Sequence, residues 1–337
     1  MSQNRKYFPG ISPRAWEHPA DTAAIQSLEK IPAFKELIKF FLKFTSDKSL
    51  RLLYLANGVR VTEKQYPRVH KLVIEASKIL DMEEVPETFV VYSPVMNATT
   101  LGVNTPIITL NSAIVSSLTD DELLGVIGHE IGHIKSGHVL YKTLMWLLVN
   151  FSTQLMPLPI AQLAIFPVVA ALREWDRKSE LSADRAELLV VQDPDVSYRT
   201  LMKLAGGNNI GEMDINQFLE QAAEYEGSGD AIDGVHKLLN VMWQTHPFPV
   251  IRLPEIKSWV DSGAYNKIYE GNYPHQKPED DDLWKIWQKA GDSYKADMNK
   301  SNDPLVKGLN EVSKMFEKLG KNGSDLLSGI FNNGNDD

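Results

Sequence analysis

Cysteine is absent from the 337 residues of this chain. Disulfide bonds and thiolate metal sites are therefore excluded, and any zinc ion must be held by histidine, aspartate or glutamate. The eight histidines and the 44 acidic residues supply such side chains. A metal centre in this protein must consequently be built from nitrogen and oxygen ligands.

The chain also lacks an excess of positive charge and an internal repeat. Its formal net charge is −9 and its isoelectric point is near 5.5, which argues against a nucleic-acid partner because phosphate binding needs a basic surface. Residues 1–21 contain no continuous apolar run, so we expect no cleaved signal peptide and a cytoplasmic active domain. The hydrophobic content of 43% suffices for a substantial core in one large or two smaller domains.

Composition divides the chain into three predicted parts. Residues 1–60 are expected to form a proline-punctuated arm lying over the domain surface, followed by a basic amphipathic helix. Residues 61–262 are expected to form the main domain, and 263–337 a C-terminal helical extension with a frayed tail. Within 31–60, six basic residues stand against two acidic ones. This balance fits either a helix on an anionic membrane surface or a packed helix with a solvated basic face.

The hydrophobic periodicity predicts a mainly α-helical fold with a small β-sheet, an α+β architecture. Helical spacing of apolar residues covers 61–80 and most of the chain between residues 180 and 260. Residues 87–111 are instead rich in β-branched and aromatic side chains, and Asn104–Pro106 is a turn candidate between two strands.

The segment HEIGH at 129–133 lies on a predicted helix whose N-cap is Thr119 or Asp120. His129 and His133 are one turn apart on one face, so both imidazoles can reach one metal ion. Glu130 would stand beside the open metal position, where a carboxylate can deprotonate an attacking water. This HExxH pattern is typical of zinc peptidases.

A catalytic zinc ion needs a third protein ligand. Glu180 and Asp184 are four residues apart on another predicted helix, so Glu180 can bind the metal while Asp184 accepts the spare N–H of a ligating histidine. The alternative is a solvated charged face with i,i+4 pairs. On a continuing helix His138 is half a turn out of phase with His129, and it misses the metzincin spacing, which indicates a structural role or a contact behind a ligand.

Four motifs together resemble the HtpX-like and CAAX-prenyl-protease-like zinc metallopeptidases, metallopeptidase family 48 within the gluzincins. They are HEIGH at 129–133, ELSAD at 180–184, MNATTLG at 96–102 and THPFPVIRL at 245–253. The resemblance spans residues 62–259 and implies a gluzincin-type domain with HExxH on its active-site helix. It implies that His129, His133 and Glu180 bind one zinc ion and that Glu130 is the general base and acid.

The same resemblance implies roles for four further residues. The strand that begins near Asn97 and Ala98 would pair with an extended substrate through backbone hydrogen bonds. His246 would donate a hydrogen bond to the oxyanion, or swing inward to take the fourth zinc position and close the site. Arg252 would form a buried structural pair.

An uncharged stretch of 30 residues, 143–172, separates the two metal-binding segments. Pro157 and Pro159 divide it into arms of about 14 residues, each too short as a helix to cross about 30 Å of hydrocarbon. A single crossing is excluded because the two metal-binding segments must meet on one side of any bilayer. An interfacial or re-entrant hairpin and a helical hairpin buried in protein both remain open.

The sequence therefore predicts a zinc-dependent endopeptidase that cuts extended or unfolded protein substrates. Family analogy places it peripherally on the inner face of a membrane, in protein quality control. The alternative is a latent or non-cleaving zinc-stabilised protein that holds peptides in a chaperone-like manner and needs neither Glu130 nor His246. A third interpretation, a membrane anchor formed by 31–60 and 143–172, would be indifferent to the loss of Glu130.

Overall fold

The computed structural model of the chain describes residues 5–29, 46–155, 159–227 and 248–276. This part is mainly helical with one four-stranded sheet, and the predicted α+β class is confirmed. The helices are α1 Pro19–Glu29, α2 Asp47–Asn57, α3 Pro67–Ile79, α4 Ser112–Ser117, α5 Asp120–Lys135, α6 Val139–Leu155, α7 Pro159–Val191, α8 Pro194–Gly206, α9 Ile215–Gly227, α10 Pro249–Asp261 and α11 Ala264–Tyr269. The strands are β1 Gly58–Arg60, β2 Glu87–Val91, β3 Ala98–Leu101 and β4 Ile107–Asn111.

The described sheet has the strand order β1-β2-β4-β3, which places β3 at one edge. Strand β2 pairs parallel with β4, whereas β1 and β3 pair antiparallel with their neighbours. The turn predicted at Asn104–Pro106 is confirmed, since it lies between the paired ends Leu101 and Ile107 of β3 and β4. An edge strand carries backbone groups that a further extended chain can pair with.

Helices α5 and α7 pack closely because glycines of α5 face α7. A Cβ atom on Gly128 would lie 2.7 Å from the Cβ of Val190, and one on Gly132 would lie 2.6 Å from the Cβ of Ala186. Cβ contacts of this length do not occur in folded proteins, so a larger residue would push the two helices apart. The glycines thus bring the HEIGH segment against the part of α7 that contains Glu180.

Both ends of α5 are defined by local chemistry. Thr119 is the N-cap, and it forms a capping box in which its hydroxyl accepts from the Glu122 N–H while the Glu122 carboxylate accepts from the Thr119 N–H. At the other end Gly137 has φ +73°, and the His138 N–H donates to the His133 carbonyl at 3.0 Å. The helix therefore does not continue to His138. The turn places His138 beside His133, with the two Nδ1 atoms 2.9 Å apart.

The N-terminal residues do not form the surface arm that their prolines predicted. Phe8, Ile11 and Trp16 are at most 1% exposed, and α1 packs against α7. Pro19 is the first residue of α1, where a proline breaks no helical hydrogen bond. Burial of apolar side chains therefore decides the placement of this segment, and proline only marks where its helix begins.

The described part of the uncharged stretch 143–172 lies on α6 and α7, two helices that pack on each other and that we call the hairpin. The base of the hairpin packs on α1 in a second hydrophobic cluster, which we call the α1–hairpin core. Its buried members are Ile25, Leu28, Leu144, Met145, Leu147, Leu148, Val168, Val169, Leu172 and Trp175. Among the described residues, no helix has the length and apolar character that a membrane crossing requires. This packing favours the protein-buried alternative for the base of the hairpin.

The helix predicted for the basic stretch is only partly within the described residues, and the predicted C-terminal helix is outside them. Of the basic stretch 31–60, residues 46–60 are described, and there Ser46 caps α2 through a hydrogen bond to the Ser49 N–H. The C-terminal helix and frayed tail predicted for the end of the chain lie, from residue 277 on, outside the described residues. The division at 60 and 262 stays a prediction.

The helix predicted over 61–80 is shorter than expected. It begins at Pro67, because the preceding residues form a turn in which the Thr62 hydroxyl accepts a hydrogen bond from the Gln65 N–H at 3.0 Å. Such side-chain to backbone bonds compete with helix formation. The helical prediction was therefore wrong for 61–66 and correct from Pro67 to Ile79.

Candidate active site

Three buried side chains converge on one point: His129 and His133 from α5, and Glu180 from α7. His133 Nε2 lies 3.2 Å from His129 Nε2 and 3.1 Å from Glu180 Oε1. His129 Nε2 lies 3.2 Å from Glu180 Oε2. Ligand atoms about 2.0 Å from a tetrahedral zinc ion stand about 3.3 Å apart. The cluster, called the metal centre below, therefore has the spacing of a three-ligand zinc site.

The protons of these groups can be arranged to suit a cation. His129 Nδ1 lies 3.1 Å from Asp184 Oδ1, which only accepts hydrogen bonds when ionised, so the ring proton sits on Nδ1 and Nε2 keeps its lone pair. His133 Nδ1 lies 2.9 Å from His138 Nδ1, which can accept the His133 proton. Two nitrogen lone pairs and a carboxylate then face one another in a buried space. A metal ion stabilises such an arrangement, and the residues present fit one.

Asp184 is in turn held by Arg252 of α10, and both side chains are buried. Arg252 Nε donates to Asp184 Oδ2 at 2.8 Å, while its Nη1 lies 3.2 Å from Glu180 Oε2. Burial alone would raise the pKa of Asp184, but Arg252 and His129 outweigh it and lower the pKa. The structure thus places Asp184 against His129 and pairs Arg252 with Asp184 in the interior. These are the contacts that the motifs suggested for the two residues.

The two histidines of the metal centre differ in their electrostatic surroundings. Burial lowers the pKa of His129, but Glu180 and Asp184 reverse this effect and raise the pKa to about 9. For His133, burial and then the charge of Lys142 dominate, and its pKa falls well below the usual value. Without a metal ion, an added proton is therefore held by His129 rather than by His133, and a metal ion that binds His129 Nε2 would have to displace it.

Lys142 of α6 is a buried cation that sequence reasoning missed. Its Nζ lies 2.7 Å from Asp176 Oδ1 and 2.9 Å from Glu180 Oε1. Burial lowers the pKa of Lys142, but the two carboxylates more than reverse the shift, so the ammonium stays charged. Its position in the sequence could have indicated its role, because Lys142 directly precedes the uncharged stretch 143–172.

Glu130 is buried against the edge strand β3. The Thr100 hydroxyl donates to Glu130 Oε2 at 2.6 Å, which fixes the orientation of the carboxylate. Thr100 was also missed by the sequence reasoning. The signal for it was the alternation along β3, which turns Ala98 and Thr100 to the same buried face.

A cavity of about 550 Å³ opens beside His129 and Glu130. Asn97 and Ala98, at the start of β3, form part of its wall, as was suggested for substrate contact. The apolar part of the wall includes Ile114, Val126, Leu201, Leu204 and Val250. His246 lies outside the described residues, so its predicted oxyanion role stays a prediction.

Glu187, also missed, adds a polar group to this cavity. Its side chain is buried, and burial raises its pKa to about 8. A carboxyl with such a pKa is mostly protonated at neutral pH. The cavity beside the metal centre therefore combines an apolar wall with a neutral carboxyl group.

Comparison with known proteins agrees with this site. Residues 63–260 match Peptidase family M48. The chain is 32% identical over 266 residues to "Plastoglobule-localized metallopeptidase 48, chloroplastic" of Arabidopsis thaliana, covering 77% of this chain and 76% of that protein. It is 25% identical over 221 residues to "Protease HtpX homolog" of Helicobacter pylori (strain Shi470), covering 57% of this chain and 67% of that protein.

The solved structures contain no significant match to this chain. The HEIGH and ELSAD motifs that form the metal centre lie within the matched residues 63–260. The chain belongs to peptidase family M48, and it is a metallopeptidase of the HtpX-like kind.

Proposed function

We propose that this protein is a zinc-dependent endopeptidase that hydrolyses peptide bonds in extended or unfolded protein substrates. The observation that carries the proposal is the metal centre, whose three ligand atoms are 3.1–3.2 Å apart next to Glu130. His129, His133 and Glu180 would hold one zinc ion per chain. When bound, zinc supplies a Lewis acid that polarises the scissile carbonyl and makes water a better nucleophile.

Glu130 would accept the proton of the attacking water and pass it to the leaving amine. The hydrogen bond from Thr100 holds one oxygen of this carboxylate, so the group enters the reaction already oriented. Lys142 and Arg252 each hold one oxygen of Glu180 and so fix the third ligand. His246 would donate a hydrogen bond to the oxyanion that forms at the substrate carbonyl.

The shape of the site favours an extended substrate. Strand β3 is the edge of the described sheet, and its first residues line the cavity next to Glu130. A peptide that lies along β3 beside Asn97 and Ala98 must be extended, because only an extended backbone can run along a strand. Unfolded or loosely folded proteins meet this requirement.

The decisive experiment compares wild type with Glu130→Gln in the cleavage of an unfolded, casein-like protein, with the bound metal quantified. We expect about one zinc ion per chain in both proteins and a rate loss of about 10²- to 10⁴-fold in the variant. A chelator should abolish wild-type cleavage. The exposed residue Glu63 supplies the matched control Glu63→Gln, which should cleave as wild type does.

A non-cleaving peptide-binding protein is the alternative that this experiment separates. It would keep zinc and hold the casein-like protein, but wild type and Glu130→Gln would be equally inactive. The burial of Glu130 and its short hydrogen bond from Thr100 support the enzyme, because a holding function would not require a carboxylate kept in place beside the ligands.

A peripheral contact with the inner face of a membrane also belongs to this proposal, with protein quality control as the biological setting. Leu52, Leu53 and Leu55 of α2 are 38–56% exposed, and they lie in the basic stretch 31–60. Exposed leucines next to basic side chains are typical of a helix that lies on an anionic surface. Co-sedimentation with anionic vesicles, but not with neutral ones, would support this contact, and no binding to either would refute it.

A further inference from the structure

We propose that Asp21, acting through His138, is a positioning residue for the zinc ligand His133. The inference rests on the proposed metal centre but concerns a residue outside the segment 63–260 that matches the peptidase family. Asp21 belongs to α1, the helix that was expected to be a surface arm. The proposal therefore gives the N-terminal segment a function in the metal centre.

The contacts form an unbroken line from the metal centre to α1. His133 Nδ1 lies 2.9 Å from His138 Nδ1, and His138 Nε2 lies 3.0 Å from Asp21 Oδ2. The three side chains are each at most 1% exposed. The contact between His138 Nε2 and Asp21 Oδ2 is oblique to the ring N–H and is not a hydrogen bond. It acts mainly through the attraction between the imidazole proton and the carboxylate.

The direction of the protons follows from these contacts. Asp21, as a carboxylate, favours the His138 tautomer with its proton on Nε2, which leaves a lone pair on Nδ1. That lone pair accepts the Nδ1 proton of His133, and His133 Nε2 is then left free to bind a metal. Without an acceptor at His138 Nδ1, the His133 proton can sit on Nε2, where it blocks metal binding.

Asp21 is itself fixed in place by α7. Trp175 Nε1 donates to Asp21 Oδ1 at 3.1 Å, and the Ser182 hydroxyl donates to Asp21 Oδ2 at 2.6 Å. An asparagine has one acceptor oxygen in place of two, so its NH₂ group would face either the Trp175 N–H or the proton on His138 Nε2. The two histidines of the metal centre are thus supported by carboxylates from different elements, His129 by Asp184 of α7 and His133 by Asp21 of α1.

The test measures zinc affinity by competition with a chromophoric chelator, starting from metal-free full-length protein. We expect Asp21→Asn and His138→Phe to bind zinc about 10- to 100-fold more weakly than wild type. His138→Asn keeps an acceptor near the Nδ1 position, so it should bind at least about threefold more tightly than His138→Phe. Rescue of this kind is not expected from a residue that only fills space.

Trp16→Phe is the matched control for damage to the N-terminal segment. Trp16 Nε1 donates to the Ser136 hydroxyl at 3.0 Å in a buried contact between this segment and the end of α5. Loss of this hydrogen bond should lower the melting temperature of the metal-free protein. Zinc affinity should stay within about threefold of wild type, because the change does not reach the metal ligands.

Two results would overturn the positioning role. The first is equal zinc affinity in wild type and Asp21→Asn. The second is equal zinc affinity in His138→Asn and His138→Phe, and this comparison decides the question if Asp21→Asn does not fold. If wild type itself binds no zinc, the proposed function and the positioning role fail together. If wild type binds zinc and cleaves while the affinities are equal, only the positioning role fails.

Discussion

The metal centre and the α1–hairpin core share the helix α7 but differ in how they are built. The metal centre relies on local spacing, since His129 and His133 are one helical turn apart and Glu180 and Asp184 are another such pair. The α1–hairpin core joins segments that are far apart along the chain, such as Ile25 with Leu148. The side chains of the metal centre thus come from short sequence motifs, whereas the hydrophobic core beside it depends on contacts between segments far apart in the sequence.

The two regions also differ in charge. Around the metal centre, Glu180 and Asp184 form buried ion pairs with Lys142 and Arg252, whereas the α1–hairpin core is apolar. Removing one partner of a buried ion pair leaves an unpaired charge, but shortening an apolar side chain leaves only a cavity. Changes in the α1–hairpin core should therefore reduce stability, and changes in the metal centre should reduce metal binding as well.

Leu148→Ala is expected to have the largest effect on stability. Leu148 is fully buried in the α1–hairpin core, so its truncation should lower the free energy of unfolding by about 3 kcal/mol, measured by urea denaturation of the metal-free protein. Zinc affinity should be unchanged. Leu52→Ala, at a leucine that is 56% exposed, is the control and should change stability by less than about 0.5 kcal/mol. A large loss of zinc affinity in Leu148→Ala would show that the two regions are not separable.

Gly128→Ala should affect both stability and metal binding, because it lies where α5 meets α7. The added Cβ would stand 2.7 Å from the Cβ of Val190, so the helices must separate. We expect a loss of about 2 kcal/mol in unfolding free energy together with weaker zinc binding in the same chelator competition. Gly211→Ala is the control, since a Cβ there meets nothing within 4 Å. Unchanged zinc affinity in Gly128→Ala would contradict the close-packing argument.

Glu187→Gln should have an effect on stability that depends on pH. Burial raises the pKa of Glu187 from its ordinary value of 4.5 to about 8, so between these values the folded protein binds a proton that the unfolded chain releases. Its contribution to stability therefore falls as pH rises through this window. Glutamine does not titrate, so the variant does not lose stability in this window. The free energy of unfolding of the variant minus that of wild type should therefore be at least about 1 kcal/mol higher at pH 8 than at pH 5. Parallel stability curves for the two proteins between pH 5 and 8 would argue against a protonated Glu187.

Sequence reasoning reached the parts of the site that local spacing defines. It paired His129 with His133, selected Glu180 and Asp184, narrowed the helix cap to Thr119 or Asp120, and located the turn before β4. Each of these depends on residues within one or two helical turns or within one hairpin, where backbone geometry fixes which side chains meet.

The remaining residues of the site come from contacts that no local pattern specifies. Lys142 contacts Glu180, Thr100 contacts Glu130 and Asp21 contacts His138, each from a separate element. His138 was assigned to a continuing helix, but the helix ends at Lys135, and Gly137 then adopts a left-handed backbone conformation. The backbone conformation of this turn thus decided that His138 contacts His133 instead of pointing away from it.

The sequence by itself determined the chemistry of this protein: a cysteine-free chain whose HExxH and ELSAD motifs place nitrogen and oxygen ligands at helical spacing. Only the tertiary structure decided what surrounds those ligands, including the burial of α1, the cations on Glu180 and the line from His133 to Asp21. The physical reason is that metal ligation is set by the geometry of one helical turn, whereas desolvation and charge pairing depend on which distant segments close over the site.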